Sequence, residues 1–511
     1  MSMSAVRNRS QTVLLSLLDA LVDPARRERT ALVALAAYAA VWTLYGAIAK
    51  GSQDIHFDMG EMVAWSREVT LGTTKHPPLG AWLVRIWFSV FPLADWSYYC
   101  FAILLATLAL WFAWTMSTPY LDARKRVVGL ALLTLVPFYN FHALKFNANT
   151  VMIPLWAATT WLFLRSFETR SLPFAALAGL AAAAAMLGKY WSIFLLVSLA
   201  IAAIADPRRS AYFRSPAPYV TVAVGALALT PHIVWLYFNH FAAFDYALAS
   251  HPASWATTIS SCFAYVVGAL AYLVVPTLIA VAFARPDRAA IGDTLWPSDP
   301  SRRLVLLSFA LPLLLPAIAA LVTHEEIVSL WAMGSMTLFP VVLLSSPRVA
   351  VSRAAAAVIL GIALALPLLA TAAAPAIAVI VHRNGISNFA THYRLVAGAI
   401  EKAWHETTDR PLRIVGSYDN LVNGVAFYLV DQPSTFEVIS PVRTPWIDEA
   451  RIARDGVALV CPLTVQECVR AVDARAAKEP RSRRVEVEIS RRYFGVSDPA
   501  VRYLIVTIAP H

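Results

Sequence analysis

The chain has 511 residues, of which 59% are hydrophobic and only 14% charged, against roughly 25% charged in ordinary soluble domains. The mean hydropathy is +0.60, and the apolar residues come in blocks of about 20, the length that crosses a bilayer, which excludes a soluble globular protein. The net charge of +10 does not indicate nucleic-acid binding, because the basic residues fall in short clusters between apolar blocks, as the positive-inside rule expects.

Residues 1–29 are polar and Arg-rich, carry a short amphipathic run over 13–22 and show no cleavage pattern of a signal peptide, so they read as a cytoplasmic lead-in. The first span covers 31–49. Arg26, Arg27 and Arg29 precede it, which places residues 50–80 outside. In that loop, 58–69 can form a helix lying on the membrane surface, and 79–91, too short to span and carrying Arg85, reads as a second interfacial helix. Residues 96–117 return inward to the cluster Asp122-Ala123-Arg124-Lys125-Arg126.

Further spans are expected at 127–141, 151–164, 174–188, 192–205, 219–238, 262–284, 304–322, 327–344 and 354–381. With the first two they give about eleven, and every large Arg cluster then falls on one side. The outer loops carry His142 to Asn149, then Lys189 and Tyr190, then His240, Asp245 and His251, and finally His324, Glu325 and Glu326. The Ala runs at 181–185 and 354–357 suit small-residue helix packing.

From residue 383 the long apolar blocks stop. Residues 412–417, 457–460, 484–489 and 501–508 read as strands, and 400–407 and 465–478 have helical periodicity. The chain thus reads as a cytoplasmic segment (1–29), a transmembrane domain (30–382) with an external loop (50–80), and an α/β domain on the outer side (383–511). The fold class is an α-helical polytopic membrane protein with a small C-terminal α/β domain. Cys461 and Cys468 lie in that domain; they could pair in an oxidising compartment, or remain as buried thiols. Cys100 and Cys262 read as packing residues.

The chemistry concentrates in the first outer loop. Asp58 and Glu61 share a face of a helix, and an ionised carboxylate can orient or deprotonate an attacking hydroxyl. The alternative is an ordinary solvated loop; the position directly after a span and before a basic Pro-Pro turn favours the functional reading. Lys75 and His76 precede Pro77-Pro78, which fix the backbone and would hold the two basic side chains at a phosphate or pyrophosphate. Snorkelling of Lys75 to headgroups is the competing reading. Lys145 and Lys189 are further outer-face cations that could complete a positive rim or merely anchor helices. His324 and Glu325 could bind an acceptor or a metal, or form a plain polar hairpin. The sequence holds no HExxH, Walker A or GxGxxG motif. Charges within the spans are scarce, which argues against an ion- or proton-coupled transporter.

Taken in order, the run Phe57-Asp58-Met59-Gly60-Glu61-Met62, the run Lys75-His76-Pro77-Pro78-Leu79 leading into Gly80-Ala81-Trp82-Leu83, the stretch Lys145-Phe146-Asn147-Ala148-Asn149, and Ala178-Gly179-Leu180 through Gly188-Lys189-Tyr190 resemble the polyprenyl-phosphate-sugar-dependent membrane glycosyltransferases. That family includes protein O-mannosyltransferases, lipid A aminoarabinose transferases and rhizobial galacturonosyltransferases of lipopolysaccharide. The resemblance covers about residues 30–345. It departs from the family pattern at three places. The first-loop acids, usually adjacent, are split by Met59-Gly60; His76 stands where Lys often precedes Pro-Pro; and Asn147 stands where relatives often carry Asp.

The resemblance implies a GT-C fold and an inverting transfer of a sugar from a polyprenyl-phosphate donor, on the outer face of a bacterial inner membrane. The acceptor would be a membrane lipid or glycolipid such as lipid A or lipopolysaccharide. Asp58 and Glu61 would then be catalytic. Lys75, His76, Lys145, Asn147, Lys189, Tyr190, His324 and Glu325 would bind substrate. No cofactor is required, since the lysines can stabilise the phosphate leaving group; a divalent metal at Asp58 or Glu325 is possible but not indicated. The rival classes are a flippase or transporter of lipid-linked sugars and a structural membrane anchor.

Overall fold

Runs rich in Ala and Leu with no polar interior leave the backbone only one way to satisfy its hydrogen bonds in lipid, the helix. The computed structural model of the protein describes residues 3–250, 252–385, 390 and 392–510. Among them, six helices are long and apolar enough to cross a membrane: Arg27–Ala49, Asp95–Met116, Ala217–Phe238, Trp255–Ala284, Pro300–Thr323 and Arg353–Asn384. The chain divides into two compact units, one of residues 1–43, 74–79 and 100–370, the other of 44–73, 80–99 and 371–511.

The first unit is helical. The polytopic class stands, but three of the eleven expected spans, 127–141, 192–205 and 327–344, are short or broken. Residues 174–188 and 192–205 become Leu172–Gly188 and Ile193–Ala205, of 17 and 13 residues, the first at the lower limit for a span and the second below it. Residues 151–164 lie in the 22-residue helix Ala148–Thr169, which carries Pro154. Residues 327–344 split into a 3-10 stretch, Ser329–Leu338, and a short helix, Phe339–Leu344, with Pro340 in its first turn. Residues 127–141 split into the 12-residue helix Ala123–Thr134 and a 3-10 turn at Pro137–Tyr139.

The last case also shows how the cluster Asp122 to Arg126, read as the marker of the inner face, is built. Asp122 is the N-cap, its carboxylate accepting from the Lys125 amide at 2.9 Å, which satisfies one of the orphan donors of a helix start. Lys125 and Arg126 are buried. The Lys125 ammonium donates to the Ser346 carbonyl at 2.9 Å, and the Arg126 guanidinium lies 4.0 Å from the Trp114 ring. Three helices of this unit end on non-glycine residues in the left-handed region: Arg170 (φ 55°), Arg285 (φ 47°) and His324 (φ 59°). The loop expected to hold His240, Asp245 and His251 contains a helix, Ala242–Ser250; His251 lies outside the described residues.

The second unit is built on a five-stranded sheet of order β2-β1-β3-β7-β4. Its strands are β1 (Ile414–Ser417), β2 (Ser434–Glu437), β3 (Val457–Pro462), β4 (Arg483–Ile489) and β7 (Val501–Ile508). A separate two-stranded hairpin joins β5 (Arg492–Tyr493) to β6 (Val496–Ser497). The pairs β1–β2 and β1–β3 are parallel, whereas β7 runs antiparallel to both β3 and β4. Every residue of β3 is buried, as a strand covered on both faces requires. One face packs on Tyr393, Val396, Ile400 and Trp404, the other on Ile452 and Val472. Cys461 and Cys468 are joined as a disulfide, with Cα atoms 5.8 Å apart. That resolves the two readings left open above.

The acid-bearing loop belongs to this second unit. The helix expected over 58–69 exists as Phe57–Ser66, and most of it is covered by the chain itself: Met59 to Ala64 and Ser66 are all buried. It seats directly on the helix Asp419–Tyr428. A Cβ at Gly60 would stand 2.6 Å from the Asn423 carbonyl oxygen and 2.9 Å from the Gly424 nitrogen, so the two backbones touch. Gly60→Ala should therefore lower stability by about 1–3 kcal/mol, the cost of overpacking. Thermal unfolding in detergent checks this, and an unchanged midpoint would show that the two helices are not in backbone contact.

Candidate active site

In the second unit, the acids are placed by a helix start. His56 is the N-cap, and its Nδ1 accepts from the Asp58 amide at 3.2 Å while lying 3.6 Å from the Asp58 carboxylate. Asp58 retains 19% side-chain exposure, whereas Glu61, one helical turn on, is buried at 4%. The expected shared face exists, but the two acids differ in access: one meets solvent and the other packs inward.

The far end of the helix is tied down by Arg67, which donates to the carbonyls of Pro433 at 2.6 Å and Ala426 at 3.0 Å. Burial lowers the Arg67 guanidinium to about 10, so it stays cationic at neutral pH. Arg85 donates to the Ser66 carbonyl at 2.9 Å, and Tyr98 donates to the Met59 carbonyl at 3.0 Å.

The loop before the helix is braced by a group the sequence reading did not single out. Asp54 is buried at 2%. Its carboxylate accepts from Arg491 Nη2 at 2.6 Å and from the Arg394 amide at 3.0 Å, and its own amide donates to the Ala390 carbonyl at 2.7 Å. The next amide, Ile55, donates to the Tyr428 hydroxyl at 2.9 Å. A buried carboxylate of this kind stays folded only with its charge partners in place. Burial, with Tyr418, Asp54, Asp419 and Asp58 nearby, holds the Tyr393 phenol above its usual range. The sequence signal for Asp54 is an acid just past the first span, weaker than the helical spacing of Asp58 and Glu61.

The remaining candidates lie in the first unit. Lys189 follows the helix Leu172–Gly188 as its C-cap. Its ammonium donates to Asn149 Oδ1 at 2.6 Å and sits 4.8 Å over the Trp331 ring. Asn149 belongs to the first turn of Ala148–Thr169, whose N-cap is Asn147, accepting from the amides of Asn149 and Thr150 at 3.0 and 3.2 Å. Asn147 therefore acts as a helix cap. Because Asn147 is neutral, it leaves uncancelled the partial positive charge of the helix start, beside which Lys189 adds a full one.

Lys145, two residues before that cap, is half-buried, and its carbonyl accepts from Thr150 Oγ1 at 2.6 Å. Burial, reinforced by the Lys145 charge, pushes His142 below the usual imidazole range. Tyr190 and His232 share a hydrogen bond of 2.9 Å. Lys75 lies 5.9 Å from the Tyr246 ring centroid. His76, beside it, is half-buried. The structure thus brings Lys189, Asn149 and Trp331 together at one helix start. Asn149 and Trp331 are the partners that the sequence reading missed.

His324 and Glu325 form a clasp: the His324 carbonyl accepts from the Ala253 amide at 3.0 Å, Glu325 bridges Pro252, and the His324 ring lies 4.0 Å from that of Trp255. Among the described residues, no three His, Cys, Asp or Glu side chains converge as a metal-ligand set.

Chemically, the Lys189 cluster suits an anion with several oxygens, and Asp58 suits a proton acceptor. Asn149→Asp would set a carboxylate against Lys189 and cancel its charge. The affinity for an alkyl phosphate probe should then fall roughly tenfold, about 1.4 kcal/mol. Equilibrium titration of the purified protein measures this, and unchanged affinity would separate Lys189 from anion binding.

Residues 75–235 match the family described as dolichyl-phosphate-mannose-protein mannosyltransferase. No curated protein matches the sequence. Among solved structures, ArnT from Cupriavidus metallidurans bound to undecaprenyl phosphate is similar over 93% of this chain and 97% of its own, at 12% identity and a TM-score of 0.60. The same protein in the apo state gives 10% identity and 0.58 over the same shares. At such identity the likeness establishes the fold, which is GT-C. With the matched family domain it bears out the resemblance drawn from the motifs: this is a multi-pass membrane protein of the GT-C fold, and residues 75–235 within it are similar to a family of lipid-phosphate-sugar-dependent glycosyltransferases.

Proposed function

We propose that the chain transfers a sugar, with inversion, from a polyprenyl-phosphate donor to a hydroxyl or phosphate on an acceptor at the periplasmic face of the bacterial inner membrane. The acceptor class is lipid A, lipopolysaccharide or another envelope glycolipid. The observation that carries this reading is the cation seated at a helix start: Lys189 on Asn149, inside the matched family domain. Support also comes from the solved relative, which holds undecaprenyl phosphate. Residues 383–511 form the periplasmic domain in this reading, and the Cys461–Cys468 disulfide suits such an oxidising compartment.

The reaction is a single displacement. Asp58 takes the acceptor proton as the acceptor oxygen bonds to the anomeric carbon, and Glu61 orients the acceptor or the sugar. The bond from that carbon to the phosphate oxygen breaks, and polyprenyl phosphate leaves with the electron pair. Lys75, His76 and Lys189 stabilise the charge that develops on it, and Lys145, Asn147 and Tyr190 line its approach. His324 and Glu325 stand on the acceptor side.

The direct test is product formation from a polyprenyl-phosphate sugar by the purified protein in detergent, which a flippase or an anchor would not give. Asp58→Asn should lower turnover by roughly 10²–10⁴, the usual contribution of general base catalysis, with thermal stability unchanged; wild-type turnover would remove Asp58 from the mechanism. Glu61→Gln should cost less.

Lys75→Ala and Lys189→Ala should each weaken transfer roughly ten- to a hundredfold, the value of a charge-assisted contact of about 1.5–3 kcal/mol. Their effects should be less than additive if both meet one phosphate. If the lysines only anchor helices, stability falls while donor KM stays constant.

Orientation has its own check. A reporter active only in the periplasm should work at the C-terminus, whose last residue, His511, lies outside the described residues, and be silent after Arg209. The reverse pattern would invert the topology.

A further inference from the structure

The β5–β6 hairpin is connected by two residues, Phe494 and Gly495, both with positive φ (45° and 82°). Such a turn favours Asn, Asp or Gly, because positive φ is sterically costly for a residue with a bulky side chain. A phenylalanine occupies its first position and is 79% exposed, so the strain is not offset by burial within the chain. Strain held at an exposed aromatic points to a partner outside the chain.

The surroundings say which partner. Tyr493, one residue before the tip, has its hydroxyl 3.4 Å from where a Cβ on Gly51 would stand. Gly51 follows the end of the spanning helix Arg27–Ala49 by two residues. On another side, His382 Nε2 and the Val496 carbonyl oxygen lie 2.9 Å apart, and the His382 and Tyr493 rings are 5.7 Å apart. His382 belongs to the last turn of the spanning helix Arg353–Asn384. The hairpin is therefore held at the ends of two spanning helices, which is the level of the membrane interface. Aromatic residues are enriched at that level, with basic residues reaching the headgroups, and Arg492 is exposed beside the tip.

We propose that the hairpin is a membrane-inserting arm. Phe494 enters the boundary between headgroups and acyl chains of the leaflet where these helices end, and Arg492 meets the lipid phosphates. The base of the arm reaches the acid-bearing loop. Arg491 donates to the buried Asp54 at 2.6 Å, and its amide donates to Asp498 at 2.6 Å. Asp498 in turn pairs with His392, 2.9 Å away. Lipid contact at the tip thus steadies the segment from which Asp58 projects.

The test uses the full chain in nanodiscs of phosphatidylethanolamine and phosphatidylglycerol. In a variant with Cys100 and Cys262 replaced by Ser and the Cys461–Cys468 disulfide kept oxidised, a nitroxide is attached at Phe494→Cys or, for comparison, at the exposed Lys478→Cys. Lipid-dissolved oxygen should relax the label at 494 several times more effectively than a water-soluble nickel chelate, with the preference reversed at 478. A second measurement needs no substitution. A phospholipid with a photoactivatable group at the headgroup boundary should label the tryptic fragment 493–502 of the wild-type chain, and Phe494→Ser should reduce that adduct severalfold. A solvent-like label at 494, or a wild-type chain with no lipid adduct in that fragment, overturns the proposal.

Discussion

Two helices whose backbones touch leave no room for a side chain between them, and that condition governs the second unit. Gly60 meets the Asn423 carbonyl, so the helix carrying Asp58 and Glu61 is seated on the sheet domain. Everything around it maintains this seating. Arg67 ties the far end to two carbonyls, Asp54 holds the near end between arginines, and Tyr98 takes the Met59 carbonyl. The acid that remains partly exposed, Asp58, is exposed on a scaffold whose other contacts are fixed. That is the condition under which a proton acceptor keeps a defined geometry. The C-terminal sheet thus does more than follow the last span; it forms the bed of the acid-bearing loop.

The cationic cluster in the first unit rests on a different principle. A helix start offers partial positive charge and unpaired amides, and Asn147 uses a neutral oxygen to cap them. Lys189 is brought to the same place by the turn that ends the preceding helix, and its ammonium is held against Asn149 and the Trp331 ring. Indole and amide contacts help to fix the position of the charge. Positive charge of two origins, one from backbone dipoles and one from a side chain, therefore accumulates at one point.

Much of this was legible in the chain itself. Long apolar runs announced the membrane, and all four strands expected after residue 411 exist. Two kinds of feature stayed hidden, each for a physical reason. Short elements carry too few residues to show a period: β2 is four residues long, and the helix Asp419–Tyr428 contains Asn420, Asn423 and Gly424, which are poor helix formers. Hydropathy also cannot tell a span from a broken apolar run. Prolines and 3-10 turns cut 127–141 and 327–344 into pieces, and the inner-face cations Lys125 and Arg126 are buried by partners distant in sequence. In the site, spacing pointed to Asp58 and Glu61. Asp54 has its partners more than three hundred residues away, and no local pattern encodes that.

The left-handed endings at Arg170, Arg285 and His324 set the depth of their helices. An apolar helix in a bilayer resists sliding along its axis only weakly, since moving by one residue exchanges one methyl-rich side chain for another. A long charged or aromatic residue that leaves the helical path at its last turn changes this. It cannot follow the axis inward without carrying its polar head into hydrocarbon, and its conformation, costing about 1–2 kcal/mol, leaves no continuing helix to draw it in. Each such residue acts as a stop. Fixing the axial position to within one residue rise, about 1.5 Å, fixes in turn the height of every side chain at the opposite end of the same helix.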